Sequence, residues 1–189
     1  MRWVGYCILV YIVVLLQTTV GRLLTFSSES LGLLGPDLLA VVAVFVALRV
    51  RESSDVFLAA WVLGLAVDLS NVGGVGEATV VGPMSLAYLL AVAAVLRMRE
   101  AFFRDRLTSQ AVLALVFCLL AHGIWVTVQS LLARGQVTWP TYAATMLQAV
   151  GLACYTAVVM PLGYRLLLKC ERWFVAVQPG RARRPRMVR

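Results

Sequence analysis

The sequence has few charged residues. It also has only one histidine and four cysteines among its 189 residues. Charged residues make up 14% of the chain, against roughly 25% in a typical soluble domain, whereas 61% of the residues are hydrophobic. The core of a soluble domain of this length could not bury so much apolar surface. The composition therefore excludes an ordinary soluble domain.

The sequence also offers few groups for metal or catalytic chemistry. Cys7, Cys118, Cys154 and Cys170 lie within or at the end of apolar segments and lack the spacing of a metal site. One histidine without a second ligand forms no metal site. A serine and lysine pair or a paired metal motif, as in intramembrane enzymes, is not found either. We therefore expect no cofactor, no metal and no enzymatic activity.

Long apolar runs are abundant, and they predict an all-α membrane protein. An apolar helix of about 20 residues crosses the roughly 30 Å of hydrocarbon in a bilayer. We predict one membrane domain over residues 1–172, a bundle of six transmembrane helices, followed by a basic, disordered tail over residues 173–189. The approximate spans are 3–22, 31–48, 56–71, 80–96, 111–133 and 140–168.

The second and third spans leave an alternative open, because their uncharged runs cover only residues 38–48 and 56–67. Runs this short could form a re-entrant hairpin. Entry from outside would bury Arg49, Arg51, Glu52 and Asp55 at membrane depth, where one charge costs about 2.5–3.5 kcal/mol. We therefore favour two full spans.

The distribution of basic residues predicts the orientation of the spans. Of the 17 basic residues, Arg22 and Arg134 fall on one side and the other fifteen on the opposite side. Cytoplasmic loops retain lysine and arginine, so both termini are predicted to be cytoplasmic. With this orientation, polar residues concentrate in the outer half of the bundle. Among them, Gln17, Gln129 and Gln148 are candidates for partner or ligand binding.

Asp37 and Asp68 are the acidic residues of this outer half. They lie 15 and 16 residues on either side of Glu52, the middle of the predicted turn, so they should reach the same depth. Such carboxylates could share a proton, bind a cation or accept a basic group from a partner. The alternative is a structural role, because Pro36-Asp37 is typical of a helix start and Arg22 could neutralise either acid.

His122 lies in the middle of the fifth predicted span. A charge is costly at that depth, so we expect a neutral imidazole that forms a hydrogen bond to a neighbouring helix. Gln148 on the sixth span is a plausible partner. His122 and Arg22 are thus candidates for polar contacts between helices.

Two basic segments are predicted to contact anionic lipid at the cytoplasmic face. The loop segment contains Arg97, Arg99, Arg104 and Arg106, and the tail contains Arg181, Arg183, Arg184 and Arg186. Nucleic-acid binding is not expected, because the basic residues follow membrane edges rather than one folded face. In Gly73-Gly74-Val75-Gly76, the nucleotide-binding lysine and hydroxyl residues are missing, so a turn is predicted.

Three motifs between Leu34 and Leu96 resemble a known family. They are Pro36-Asp37-Leu38-Leu39 with Ala47-Leu48-Arg49, then Gly64-Leu65-Ala66-Val67-Asp68-Leu69, and then Leu86-Ala87-Tyr88-Leu89-Leu90. This pattern is similar to the rod shape-determining protein MreD family, as are the size and the six-span hydropathy. The rest of the chain agrees with the family only in hydropathy.

The resemblance implies a non-enzymatic scaffold of the bacterial cell-elongation machinery, located in the cytoplasmic (inner) membrane. Such a scaffold helps to maintain rod shape by linking the cytoskeleton to peptidoglycan synthesis. The implied partners are an MreC-like bitopic protein, an MreB-like actin homologue, and the wall-elongation glycosyltransferase and transpeptidase.

The family is also similar in fold to the substrate-binding subunits of energy-coupling-factor transporters. The alternative function is therefore a membrane substrate-binding subunit of a small-molecule, vitamin-type transporter. Its supporting features in this sequence are the outward polar residues and the two aspartates.

Overall fold

A computed structural model describes residues 2–28, 32–70, 82–99, 107–132 and 139–174. The described residues form six helices and one short antiparallel hairpin, so the predicted all-α class is confirmed. The helices are α1 (Trp3–Leu23), α2 (Leu38–Arg49), α3 (Ser53–Ser70), α4 (Pro83–Met98), α5 (Leu107–Leu132) and α6 (Trp139–Phe174). The hairpin pairs β1 (Phe26–Ser28) with β2 (Gly32–Leu34) between α1 and α2.

Three of the described helices are long and apolar enough to cross a membrane: α3, α5 and the Trp139–Glu171 part of α6. The apolar stretches of the other three, Trp3–Thr19, Leu38–Arg49 and Pro83–Met98, are shorter. The chain therefore has the helices of a membrane protein.

Helix α2 is the central helix of the bundle. All ten residues from Leu39 to Leu48 are buried, which means that other helices surround α2 on every side. A helix that is apolar all round suits such a position. Its 12 residues span about 18 Å at 1.5 Å per residue, which is less than the hydrocarbon thickness.

The prediction of one helical span over residues 31–48 is wrong at its start. Residues 32–34 form strand β2, and α2 begins only at Leu38, with Asp37 as its N-cap. The reason is local, because Pro36 disfavours the helical conformation of the residue before it. The described turn between α2 and α3 holds Arg51 and Glu52, both exposed.

The remaining helices differ from the predicted spans mainly at their ends. Helix α6 continues six residues beyond the predicted end at 168, to Phe174, and thus includes the first two residues assigned to the tail. Basic residues such as Lys169 suit the last turns of a helix, where the backbone dipole is negative. The predicted turn at 73–76, the loop residues Arg104 and Arg106, and the tail arginines lie outside the described residues.

Side chains from two other helices bind the end of α2. Arg99 donates from Nη1 to the carbonyl oxygens of Ala47 (3.0 Å) and Val50 (3.1 Å). Arg49 forms a bidentate ion pair with Glu171 of α6, at 2.9 and 2.7 Å. Arg99 thus caps α2, because the last carbonyls of a buried helix need a donor, and its lipid contact stays a prediction. Arg97 is exposed and remains a lipid-contact candidate.

Close packing of α3 against α4 depends on Gly64. A Cβ atom built on Gly64 would lie 2.5 Å from the Cα atom of Ser85 and 2.8 Å from the carbonyl oxygen of Met84. Backbones approach this closely only where one helix lacks a side chain. Elsewhere, the Tyr6 hydroxyl donates to the Ala59 carbonyl oxygen at 2.8 Å and thereby joins α1 to α3.

We predict that Gly64→Ala destabilises the protein by about 1–3 kcal/mol, because the added methyl group meets backbone atoms that cannot rotate away. The matched control is Gly123→Ala on α5, where a Cβ atom would have no neighbour within 4 Å. Thermal unfolding in detergent, followed by circular dichroism, measures both. Equal stability of the two variants would contradict the proposed close approach.

Candidate functional site

The candidate site lies at the start of the central helix and is built around Asp37. This residue has an extended backbone, and its Oδ1 atom accepts a hydrogen bond from the Ala40 amide at 2.9 Å. A carboxylate at this position satisfies an amide that has no partner within the helix. The structural interpretation of Pro36-Asp37 as a helix start is therefore confirmed.

The other Asp37 carboxylate oxygen contacts two further helices. Tyr88 of α4 donates its hydroxyl hydrogen to Oδ2 at 3.1 Å. His122 of α5 places Nε2 at 3.3 Å from the same oxygen. Asp37 is only 7% exposed, so these contacts replace the water that a buried carboxylate would otherwise need.

The backbone around Asp37 is fixed by α1 and α6. The Gln17 side chain of α1 donates from Nε2 to the Pro36 carbonyl oxygen (2.9 Å) and accepts at Oε1 from the Leu38 amide (2.8 Å). The amide of Asp37 donates to Oγ1 of Thr156 on α6, at 3.0 Å. Five of the six described helices thus meet at this turn, and α3 is the exception.

His122 was expected to bond to a neighbouring helix, and its contact is with the start of α2. Its Nε2 atom lies near the Asp37 carboxylate but forms no hydrogen bond with the described residues. Gln148, the partner predicted from the sequence, lines the same cavity as His122. The sequence did not predict the pairing of His122 with Asp37.

A cavity of about 420 Å³ adjoins this turn. Polar and apolar residues from all six helices contribute to its wall. They are Gln17, Gly35, Pro36, Asp37, Leu39, Val67, Ser70, Met84, His122, Trp125, Val126, Thr145, Gln148, Ala149 and Leu152. The cavity therefore brings Gln17, Asp37, His122 and Gln148 of the predicted residues together.

The structure leaves two of the predicted site residues outside the cavity wall. Gln129 lies about two turns beyond His122 on α5 and does not line the cavity. Asp68 does not line it either, although Val67 and Ser70 on both sides of it do. The side chain of Arg22, the predicted neutralising partner, lies outside the described residues.

Asp68 binds the start of α4. Its Oδ2 atom accepts from the Gly82 amide (2.9 Å), and from the Ser85 amide and hydroxyl (both 3.3 Å). The Met84 amide donates to Oδ1 at 3.4 Å. Because α4 begins with Pro83 and has no side-chain cap of its own, this carboxylate from α3 supplies the missing acceptor. The two aspartates lie at the same end of the bundle, but each caps a different helix.

Sequence analysis missed three side chains at the site. Tyr88 was noted only as part of a motif, although a tyrosine hydroxyl in a predicted span needs a polar partner. Thr156 is fully buried, and its hydroxyl in an apolar segment was a usable signal. Trp125 gave no signal beyond its spacing of three residues from His122, which puts both side chains on one helix face.

The cavity wall offers both polar and apolar contacts. Among the described residues, no group of three histidine, cysteine, aspartate or glutamate side chains could hold a metal ion. The cavity combines a few polar groups with a larger apolar surface, as small-molecule sites do.

Comparison of the chain with protein-family models, with curated proteins and with solved structures gives no significant match.

We predict that Asp37→Ala destabilises the protein by about 2–4 kcal/mol, because it removes the cap of α2 and leaves the Tyr88 hydroxyl without its acceptor. Asp37→Asn should cost less than Asp37→Ala, because its amide oxygen still caps the helix, although its amide nitrogen cannot accept from Tyr88. Thermal unfolding in detergent distinguishes these outcomes. An alanine variant as stable as the asparagine variant would show that the carboxylate has no such role.

Proposed function

We propose that the chain is a six-span protein of the bacterial cytoplasmic membrane with both termini inside. The three long helices support this arrangement, α1 has 21 helical residues, and α4 needs only a few flanking residues to complete a span. Helix α2 is short, but it is buried among other helices, so it need not match the lipid thickness by itself. The bias of the basic residues supports the orientation.

Within that membrane, we propose a non-enzymatic scaffold of the cell-elongation machinery. The supporting observation is the role of the MreD-like motif residues in this fold. Asp37 and Asp68 both accept hydrogen bonds at helix starts, where they fix the arrangement of the bundle. Because these motif residues fix the positions of the helices, the bundle can present a defined surface to partners. This is what a scaffold requires.

The two ends of the bundle suit different partners in this proposal. At one end, the cavity and its polar wall would receive a side chain from the membrane segment of an MreC-like bitopic protein. At the other end, exposed basic residues such as Arg97 and Lys169 favour the anionic leaflet and an MreB-like partner. The glycosyltransferase and transpeptidase of wall elongation would join the same complex.

A substrate-binding subunit of a vitamin-type transporter is the second candidate, and the cavity favours it. Small-molecule sites measure about 300–1,000 Å³ and combine an apolar wall with a few polar groups. The cavity beside Asp37, at about 420 Å³, falls in this range. A scaffold does not need such a cavity, whereas a substrate-binding subunit does.

Reporter fusions test the six-span arrangement. We predict that a reporter active only in the cytoplasm works at the C-terminus and in the turn at residues 50–52, and fails in the segment between β1 and β2. The last of these lies one span away from the N-terminus, so it serves as the external control. Export of the C-terminus, or an external position for the turn, would contradict the orientation.

Depletion and co-purification test the scaffold. In a rod-shaped host, we expect depletion to give rounded cells and the tagged protein to recover wall-synthesis proteins from detergent. The Gly123→Ala variant is a suitable control, because the added methyl group lies in open space. Unchanged cell shape together with recovery of an ATPase module and a bound vitamin would favour the transporter subunit instead.

A further inference from the structure

We propose that the cavity beside Asp37 binds an organic cation, namely a protonated amine or a guanidinium group attached to an apolar body. The head group would lie at Asp37 and His122, and the apolar body would pack against Trp125, Val126 and Leu152. This inference goes beyond the scaffold and does not depend on it.

The polar wall of the cavity is rich in acceptors. Ser70 donates its hydroxyl hydrogen to the Val67 carbonyl oxygen at 3.0 Å, and Thr145 donates to the Thr141 carbonyl oxygen at 2.8 Å. A hydroxyl has one hydrogen, so both oxygens have only lone pairs left for a ligand. A ligand with several N–H groups complements such a wall.

The Asp37 and His122 pair adds further acceptors. At Asp37, Oδ1 accepts only from Ala40 among the described residues, and a carboxylate oxygen can accept more than one hydrogen bond. His122 adjoins Asp37, with Nε2 at 3.3 Å from Oδ2, and a neutral imidazole offers one of its two nitrogens as an acceptor. Both residues line the cavity, so a ligand there can reach both side chains.

The charge of the wall also favours a cation. Asp37 is the only carboxylate among the cavity-lining residues, and neither lysine nor arginine is among them. With His122 neutral, as its depth predicts, a ligand carboxylate would be repelled by the Asp37 carboxylate, whereas an ammonium group would be attracted. Charge-assisted hydrogen bonds are about twice as strong as neutral ones, which gives the cation an advantage over a neutral ligand.

The apolar part of the wall defines the rest of the ligand. Trp125 lies three residues from His122 on α5, so an indole ring adjoins the proposed head-group position. Cations bind well over the face of tryptophan. Val126 and Leu152 continue the wall with aliphatic surface. The same chemistry is present in a free amphipathic amine and in a lysine or arginine side chain of a partner.

Isothermal titration of the full-length protein in detergent tests the proposal. The probes are phenethylamine, phenethyl alcohol and phenylpropionate, which share a phenyl ring and differ in the head group. We expect phenethylamine to bind about tenfold or more tightly than the alcohol, and phenylpropionate to bind no better than the alcohol.

Three variants test which side chains cause the preference for the amine. Asp37→Asn keeps a capping oxygen and should reduce the preference for the amine over the alcohol to within about twofold. Asp68→Asn is the matched control, because it alters a buried carboxylate at the same end of the bundle outside the cavity wall, and the preference should persist. Trp125→Leu, which leaves the cap of α2 intact, should weaken amine binding several-fold.

Added phenethylamine distinguishes the two sources of the cation. Loss of partners during co-purification would identify a basic side chain of a partner, and unchanged recovery would identify a free amine. Equal binding of the three probes, tighter binding of phenylpropionate, no binding of any probe to the folded protein, or an undiminished preference in Asp37→Asn would overturn the proposal.

Discussion

The fold depends on one buried carboxylate. Asp37 lies among apolar helices, where a carboxylate must receive hydrogen bonds from the protein itself. Its oxygens take them from α2 and α4 and lie beside the imidazole of α5, while α1 and α6 fix its backbone. The carboxylate therefore joins three helices, and the turn that contains it joins five.

This constraint explains how a helix of 12 residues can occupy the centre of the bundle. A buried helix exposes unpaired amides at one end and unpaired carbonyls at the other. In α2 both ends are satisfied, by Asp37 and Gln17 at its start and by Arg99 at its end. Side chains from neighbouring helices thus do what water does for a surface helix. Asp68 solves the same problem at the start of α4.

The sequence predicted the helices better than it predicted the site. Apolar runs indicated six helices, and Pro36-Asp37 indicated the start of α2, because both signals are local. The contacts of Asp37 join residues 51 and 119 positions apart, and no local pattern specifies such pairs. Counting residues from the turn predicted that the two aspartates lie at one end of the bundle, and the structure places them there. The count could not predict that Asp37 caps α2 and that Asp68 caps α4.

A site built from the groups that hold the bundle together has a physical consequence. Any ligand or partner that forms a bond with Asp37 or His122 competes with, or adds to, contacts that fix five helices. Binding there would therefore change the relative stability of alternative helix arrangements. The size of the change depends on the difference between the ligand's affinities for those arrangements. A scaffold could use this coupling to sense a partner in the membrane, and a transporter subunit could use it to sense its substrate. The carboxylate at the turn where five helices meet is thus also the group through which binding could change the positions of those helices.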